Sequence, residues 1–372
     1  NFSQIGTEEV SNGNFSQEGS ELVTNGDFSN GLTNWYVDDG TSWTNVNNTA
    51  FCDGNNGLIA QNIVSTQNKV YKVTFDSVAT NSSGKELGVR IDGGTYSWNL
   101  YPTGTHTIYL TAGSSNIEGI LFYAINGWTG SIDNVSVKEV GQDWTLVGEA
   151  EIVEDGARIY SSSGGQSYIV ASVSPLTTSK SYKFSYEITD STQGSLKLIN
   201  VNGVSDFPIP STIGTHTVYF VADNSSFFVY RNSGVTDITI TNISVKEVGQ
   251  DWTILSPWIV GNDVLSIDGS QVGNQYTSQV VSSLTSGSKY KLQYTVSNIT
   301  AGQFRINVAN TLGTYVSSNG TYEFVFNATS GTTLQLQAST TLAASVSNIS
   351  VKEITDDTDL PRINYEGFSY QD

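Results

Sequence analysis

Residues 70–78 read VYKVTFDSV, and apolar side chains fall on alternate positions: Tyr71, Val73 and Phe75 alternate with Lys72, Thr74 and Asp76. A period of two sustained over this length predicts a strand with one face in a core and one in water. The pattern returns twice. SYKFSYEIT (181–189) sets Tyr182, Phe184, Tyr186 and Ile188 against Lys183, Ser185, Glu187 and Thr189. KYKLQYTVS (289–297) repeats it through Tyr290, Leu292, Tyr294 and Val296. A second landmark follows each of these: GTHTIYLTA (104–112), GTHTVYFVA (214–222) and GTYEFVFNA (320–328). A third closes each set: NVSVKEVGQDWTL (134–146), NISVKEVGQDWTI (242–254) and NISVKEITDDTDL (348–360). With Val137, Val245 and Val351 equivalent, the spacings are 108 and 106 residues. Three landmarks recurring in one order predict three homologous domains.

About a hundred residues of short alternating strands with frequent Gly, Asn and Ser turns predict an antiparallel β-sandwich for each. The expected boundaries are 21–141, 142–249 and 250–355. The VSVKEV strand runs almost directly into GQDW, so the domains are expected to form a stiff rod. Ahead of them NFSQ (1–4), NFSQ (14–17) and DFSN (27–30) recur every 13 residues. A stretch so short holds no core of its own, and 1–20 is expected to be an extended linker or the end of a preceding domain. The acidic cluster and Pro of TDDTDLPRINYEGFSYQD predict that 356–372 is a connector to a further domain.

Composition agrees with an all-β chain. Ser, Thr, Asn, Gly, Val and Tyr dominate, and capping patterns followed by a 3.6-residue apolar period are absent. Sixteen basic against 35 acidic groups give a net charge of −19, which argues against a nucleic-acid partner. No apolar run is long enough to span a membrane as a helix, so no membrane insertion is expected. Cys52 is the only cysteine, so no intrachain disulfide can form. The chain starts at Asn1 and has no Met, and is expected to be a processed product or part of something longer.

The opening LVTNGDFSNGLTNW (22–35) and closing GSIDNVSVKEV (130–140) of the first domain resemble galactose-binding-like jelly rolls of carbohydrate-binding modules. The resemblance covers the first domain best. It reaches the other two through the closing strand and the alternating landmarks. Tandem NVSVKE closings followed by DLPRINY also resemble virion proteins of tailed bacteriophages, in particular fibre and appendage proteins. That resemblance implies a structural or host-attachment role on the virion surface, with other virion proteins as partners and often a homotrimer. Two alternatives stay open: a bacterial cell-surface adhesin or extracellular filament subunit, and the accessory region of a secreted glycoside hydrolase.

The resemblance implies a structural Ca²⁺ in the first domain, with Asn25, Asp27 and Asp133 at the matching positions. Calcium takes six to eight oxygens, so carbonyls would have to complete the shell. Thr241 and Ser347 stand where Asp133 does and bring no charge, so the other domains are expected to lack the ion. For polysaccharide, flat aromatic rings suit the apolar face of a pyranose. The candidates are Trp43, Tyr96, Trp98, Tyr101 and Trp128, with two of the domain's four tryptophans expected in the core. Trp144 and Trp252, at the junctions, are expected to be packing anchors between domains. His106 and His216 exchange with Tyr322 on an apolar strand face and read as packing residues. No Ser-His-Asp order, Cys/His metal spacing, phosphate loop or facing carboxylate pair stands out, so no enzymatic activity is expected. The sequon at Asn134, Asn242 and Asn348 is read as structural, at the start of a strand.

Overall fold

The computed structural model describes residues 2, 4–38, 42–81, 86–114, 118–154 and 156–355, and among them every regular element is a strand. The expected connector at 356–372 lies outside the described residues. The first eleven strands are β1 (Ile5–Glu8), β2 (Tyr36–Val37), β3 (Trp43–Val46), β4 (Thr49–Asp53), β5 (Gly57–Gln61), β6 (Val70–Asn81), β7 (Glu86–Ile91), β8 (Ser97–Asn99), β9 (Gly104–Thr111), β10 (Ile120–Ile125) and β11 (Thr129–Val140). Strands β2 to β11 make two antiparallel sheets, in orders β3-β4-β11-β6-β9 and β2-β5-β10-β7-β8. Without the edge strands β2 and β3, the eight remaining strands interleave as a jelly roll. The same order recurs within Trp144–Val248 and again within Trp252–Glu353. The chain is three tandem jelly-roll sandwiches.

The alternating landmarks pack as their period requires. Tyr71, Val73 and Phe75 face the first core, Tyr182, Phe184 and Tyr186 the second, and Tyr290, Leu292 and Tyr294 the third. Three of these tyrosines also tie down the preceding loop, because Tyr71, Tyr182 and Tyr290 accept the backbone N–H of Thr66, Thr177 and Thr285 at 2.7, 2.7 and 2.9 Å. The repeated Asn of the closing strand is mid-strand, not at its start. Asn134, Asn242 and Asn348 have φ of 50, 51 and 52°, and the pairing register shifts around each. A bulge residue in the left-handed region favours Asn, which explains the recurrence without glycosylation.

The N-terminal stretch is where the sequence expectation fails. Phe2 and residues 4–20 are no linker. Phe28 packs on Trp35 in the first core at 5.1 Å between ring centroids. Phe15 packs on Trp144 in the second at 5.3 Å, and Phe2 on Trp252 in the third at 5.1 Å. Each 13-residue unit thus plugs one domain, in reverse chain order. Strand β1 pairs with Thr236–Val248, the closing strand of the second domain, through Ile5↔Val248 and Glu8↔Lys246. Glu18 bridges to Val140 of the first, and its carboxylate holds Lys72 and Lys138 at 2.7 and 2.9 Å. A segment too short for its own core can still complete another element's edge, and that use was hidden by the sequence distance. The Asn-Gly pair of each unit has a steric reason: a Cβ on Gly26 would lie 2.0 Å from the Val135 carbonyl oxygen, and one on Gly13 1.9 Å from that of Ile243.

Trp144 and Trp252 are therefore plugged by Phe15 and Phe2 within the second and third cores. Trp144 also lines the junction with Val70 and Val140 of the first domain, in line with a packing anchor between domains. Other residues complete the junctions. Only Gly141–Asp143 separate β11 from Trp144. Val70 and Val140 join the second core, and Val221 and Val248 join the third. Tyr109 and Tyr219 pack against the following domain's core in the same way.

Candidate glycan-binding face

In β10, Ile120, Phe122 and Ala124 are fully buried, so Leu121 and Tyr123 point to the outer face of their sheet. Cross-strand register then aligns two outward rows. One runs Tyr36, Ala60, Leu121, Arg90; the other runs Leu58, Tyr123, Gly88, Trp98. Gly88 is decisive in the second row. A Cβ there would lie 2.6, 2.7 and 2.8 Å from Cζ3, Cε3 and Cη2 of Trp98. The indole therefore lies against the glycine backbone, and Trp98 is 41% exposed.

Around that platform, Tyr96 lies 4.7 Å from Trp98, and Tyr123 lies 6.3 and 6.2 Å from the two rings. Arg90 caps the cluster, its guanidinium 4.4 Å above the Tyr96 ring. Burial pushes the Tyr96 hydroxyl above its ordinary pKa, with Arg90 opposing, so it is a neutral donor at pH 7. Arg90 Nη2 is 2.8 Å from Glu118 Oε2, but that oxygen has no aligned hydrogen bond and Arg90 Nε–H has no acceptor. Those two atoms are buried, so the partly exposed pair can meet a hydroxyl only through its remaining nitrogens and oxygen. Beside it is a groove of about 250 Å³ lined by Tyr36, Leu58, Ala60, Asn62, Arg90, Glu118 and Leu121.

The five aromatic candidates from the sequence divide. Tyr96 and Trp98 are on this face; Trp43, Tyr101 and Trp128 are in the core and cannot reach a ligand. Trp43 and Trp128 pack on each other at 5.8 Å and donate their indole N–H to Gly57 O and Leu100 O. Tyr101 packs on Phe75 and bonds Ser97. With Trp35, three of the four tryptophans are buried, not two, because closing a sandwich of this size uses large rings at both ends. Tyr123 and Arg90 were missed, though the alternation in ILFYAI (120–125) carries the signal. The second domain also carries aromatic rings on this sheet. On its equivalent sheet Tyr168 and Tyr230 stack at 4.0 Å and 14°, with Phe228 6.0 Å from Tyr168. The third domain's face is polar: Arg305 bonds Gln337, Asn307 bonds Gln335, and Arg305 lies 4.4 Å over Tyr315.

The three residues implied for calcium are occupied otherwise. Asn25 donates to Gly31 O and Thr33 O and accepts the Asn30 N–H, closing its own loop. Asp27 accepts from the Ser29 amide and hydroxyl, which hold its carboxyl below the usual range. Asp133 accepts the Asn134 N–H, yet burial and then the charges of Asp76 and Asp27 raise its pKa. Among the described residues no three His, Cys, Asp or Glu side chains converge on one point.

His106 Nε2 lies 2.7 Å from Pro102 O and 3.0 Å from Ser77 Oγ, with its ring against Phe75 and Tyr101. His216 Nε2 meets Thr212 O at 2.6 Å, and Tyr322 donates to Ser318 O at 2.7 Å. The three side chains do one job, closing a turn four residues upstream. The Ser77–His106 contact is part of that packing and not a nucleophile with its base. No helix among the described residues is long and apolar enough to cross a membrane.

No protein family and no curated protein matches the chain. Solved structures similar to it include the N-terminal tandem CBM22 domains of Paenibacillus barcinonensis Xyn10C, at 13% identity and TM-score 0.23, covering 62% of this chain and 99% of that one. A Sulfolobus Turreted Icosahedral Virus chain is similar at 13% identity and TM-score 0.23, covering 84% and 90%. The triple jelly roll of an archaeal virus turret assembly is similar at 16% identity and TM-score 0.22, covering 86% and 89%.

Proposed function

We propose that the chain is a non-enzymatic binding and display protein whose first domain holds polysaccharide on the outer face of its β2-β5-β10-β7-β8 sheet. The observation that carries this reading is Trp98 laid against Gly88, with Tyr96, Tyr123 and the Arg90–Glu118 pair around it. A sugar ring stacks on the exposed part of the Trp98–Tyr96 pair while Arg90 and Glu118 take hydroxyls. The Tyr168–Tyr230 stack would give the second domain a weaker platform of the same kind. Several weak sites on one particle gain through avidity.

The tandem NVSVKE closings and the DLPRINY segment support placing the protein on a phage virion surface, as a fibre or head or tail appendage contacting host or environmental glycans. The bacterial adhesin is the second reading, favoured by the same exposed face. The test is a glycan-array screen of the whole chain beside its Trp98→Ala variant. Binding lost in the variant supports the site. Silence of the native chain across bacterial and algal polysaccharides removes the glycan reading and leaves a spacer.

A further inference from the structure

In two domains the second half of the closing strand is covered by a unit of the N-terminal repeat. In the first, Leu22 N–H donates to Val137 O at 3.0 Å, Glu21 Oε1 accepts Val137 N–H at 2.8 Å, and Val135 N–H donates to Gly26 O at 2.9 Å. The Ser136 hydroxyl donates to the other Glu21 oxygen. Thirteen residues earlier the second domain repeats each contact: Glu9 N–H to Val245 O at 2.9 Å, Val245 N–H to Glu8 at 2.6 Å, Ile243 N–H to Gly13 O at 2.9 Å, and the Ser244 hydroxyl to Glu8. Val23 and Val10 are buried beneath these strands.

Among the described residues the third domain has the plug but not the cover. Phe2 fills the place of Phe15 and Phe28, while the strand Val264–Asp268 pairs with the closing strand no further than Val346. Ile349 and Val351 are part-exposed, whereas Val135 and Ile243 are 5% exposed and Val137 and Val245 are 0%. With Val280, Val281 and Leu334 they line a notch of about 300 Å³. Its Ser350 stands where Ser136 and Ser244 do.

We infer that this notch seats an extended strand of the pattern Glu-x-Val-x-Asn-Gly, the unit whose register falls directly ahead of Asn1. Its Glu, thirteen positions before Glu8 in register, accepts the Val351 N–H and the Ser350 hydroxyl; its Val fills the notch; its Gly carbonyl accepts the Ile349 N–H. An extended segment adding to an exposed strand edge gains main-chain hydrogen bonds and one side-chain pocket, which is how peptides are commonly held on sheets. The inference is independent of glycan binding.

The test extends the full chain at Asn1 with a copy of residues 18–26, EGSELVTNG. A control extension has Ser at the positions of Glu21 and Val23. Amide exchange at Ile349 and Val351 is expected to slow by about tenfold or more with the first extension and not with the control. Equal exchange in both would overturn the inference, as would protection already present in the unextended chain, because another segment would then cover the notch. Protection of the unextended chain that rises with concentration, together with a doubled mass, would assign the notch to a second copy and also overturn it.

Discussion

The ring of Phe15 lies 5.3 Å from that of Trp144, tilted by 45°, and the Trp144 indole N–H lies 3.1 Å from both Ser11 O and Asn12 O. A whole domain separates the two residues in the chain. The second sandwich is therefore finished by a segment that precedes the first, so its stability depends on residues more than a hundred positions upstream.

Phe15→Ala is expected to destabilise the second domain by about 3–5 kcal/mol, the usual cost of removing a buried aromatic ring. Hydrogen exchange resolved by segment should show faster opening across 144–248 and unchanged protection across 43–137. Equal loosening of both domains would contradict the assignment of one unit to one domain.

Glu21 closes the corresponding edge of the first domain, accepting from the backbone of Leu22, Val23 and Val137. Glu21→Ala removes that acceptor and is expected to cost about 1–3 kcal/mol. Thermal unfolding of the variant checks it. Glu21→Gln, which keeps a carbonyl acceptor but not the charge, should recover part of the loss.

For the glycan face, Trp98→Ala is expected to weaken polysaccharide binding by at least tenfold, or about 1.4 kcal/mol, with little change in thermal stability because the ring lies outside the core. Gly88→Ala is the more discriminating substitution. Its methyl must lift the indole, so binding should fall although every aromatic side chain remains. Titration calorimetry with a bound polysaccharide distinguishes the two, and unchanged affinity in Gly88→Ala would show that this seating is not used.

Arg158 donates to both oxygens of Asp237 at 2.6 and 2.8 Å and also holds Glu151. Hydrogen bonding to Arg158, and then its charge, lowers the Asp237 pKa against burial. A carboxylate depressed in the folded state adds stability above its ordinary value near 3.8, and that stability is lost as pH falls through the depressed value. Asp237→Asn is expected to cost about 1 kcal/mol at pH 7, since the pair is partly exposed and screened. The gap between native and variant unfolding energies should close as the pH falls below 3.8; a gap that persists in acid would rule out the ionic origin.

With Asn25 and Asp27 in loop hydrogen bonds and Asp133 accepting the Asn134 N–H, chelation is expected to leave the melting temperature of the first domain unchanged. A fall of several degrees with chelator, restored by added Ca²⁺, would show that this loop rearranges around an ion.

Much of the architecture was legible in the chain because alternation is local: Tyr71, Val73 and Phe75 need only their neighbours to declare a strand with one buried face. The repeats declared three domains for the same reason. What alternation does not carry is which residues meet across strands. Trp43, Trp98 and Trp128 look alike in sequence. Only the register that sets Gly88 beneath Trp98, while Trp43 and Trp128 close on each other, separates a platform from a core. The 13-residue units had the same ambiguity: their period was plain, but Phe15 and Phe2 meet partners in the second and third domains. Sequence by itself determined the strands, the repeats and the sandwich class, because these follow from spacing along one segment, while the jelly roll was implied by the resemblance. The tertiary structure alone decided that Phe2, Phe15 and Phe28 plug three different cores, and which aromatic faces remain open, because both depend on non-local pairing and on the space each neighbour leaves.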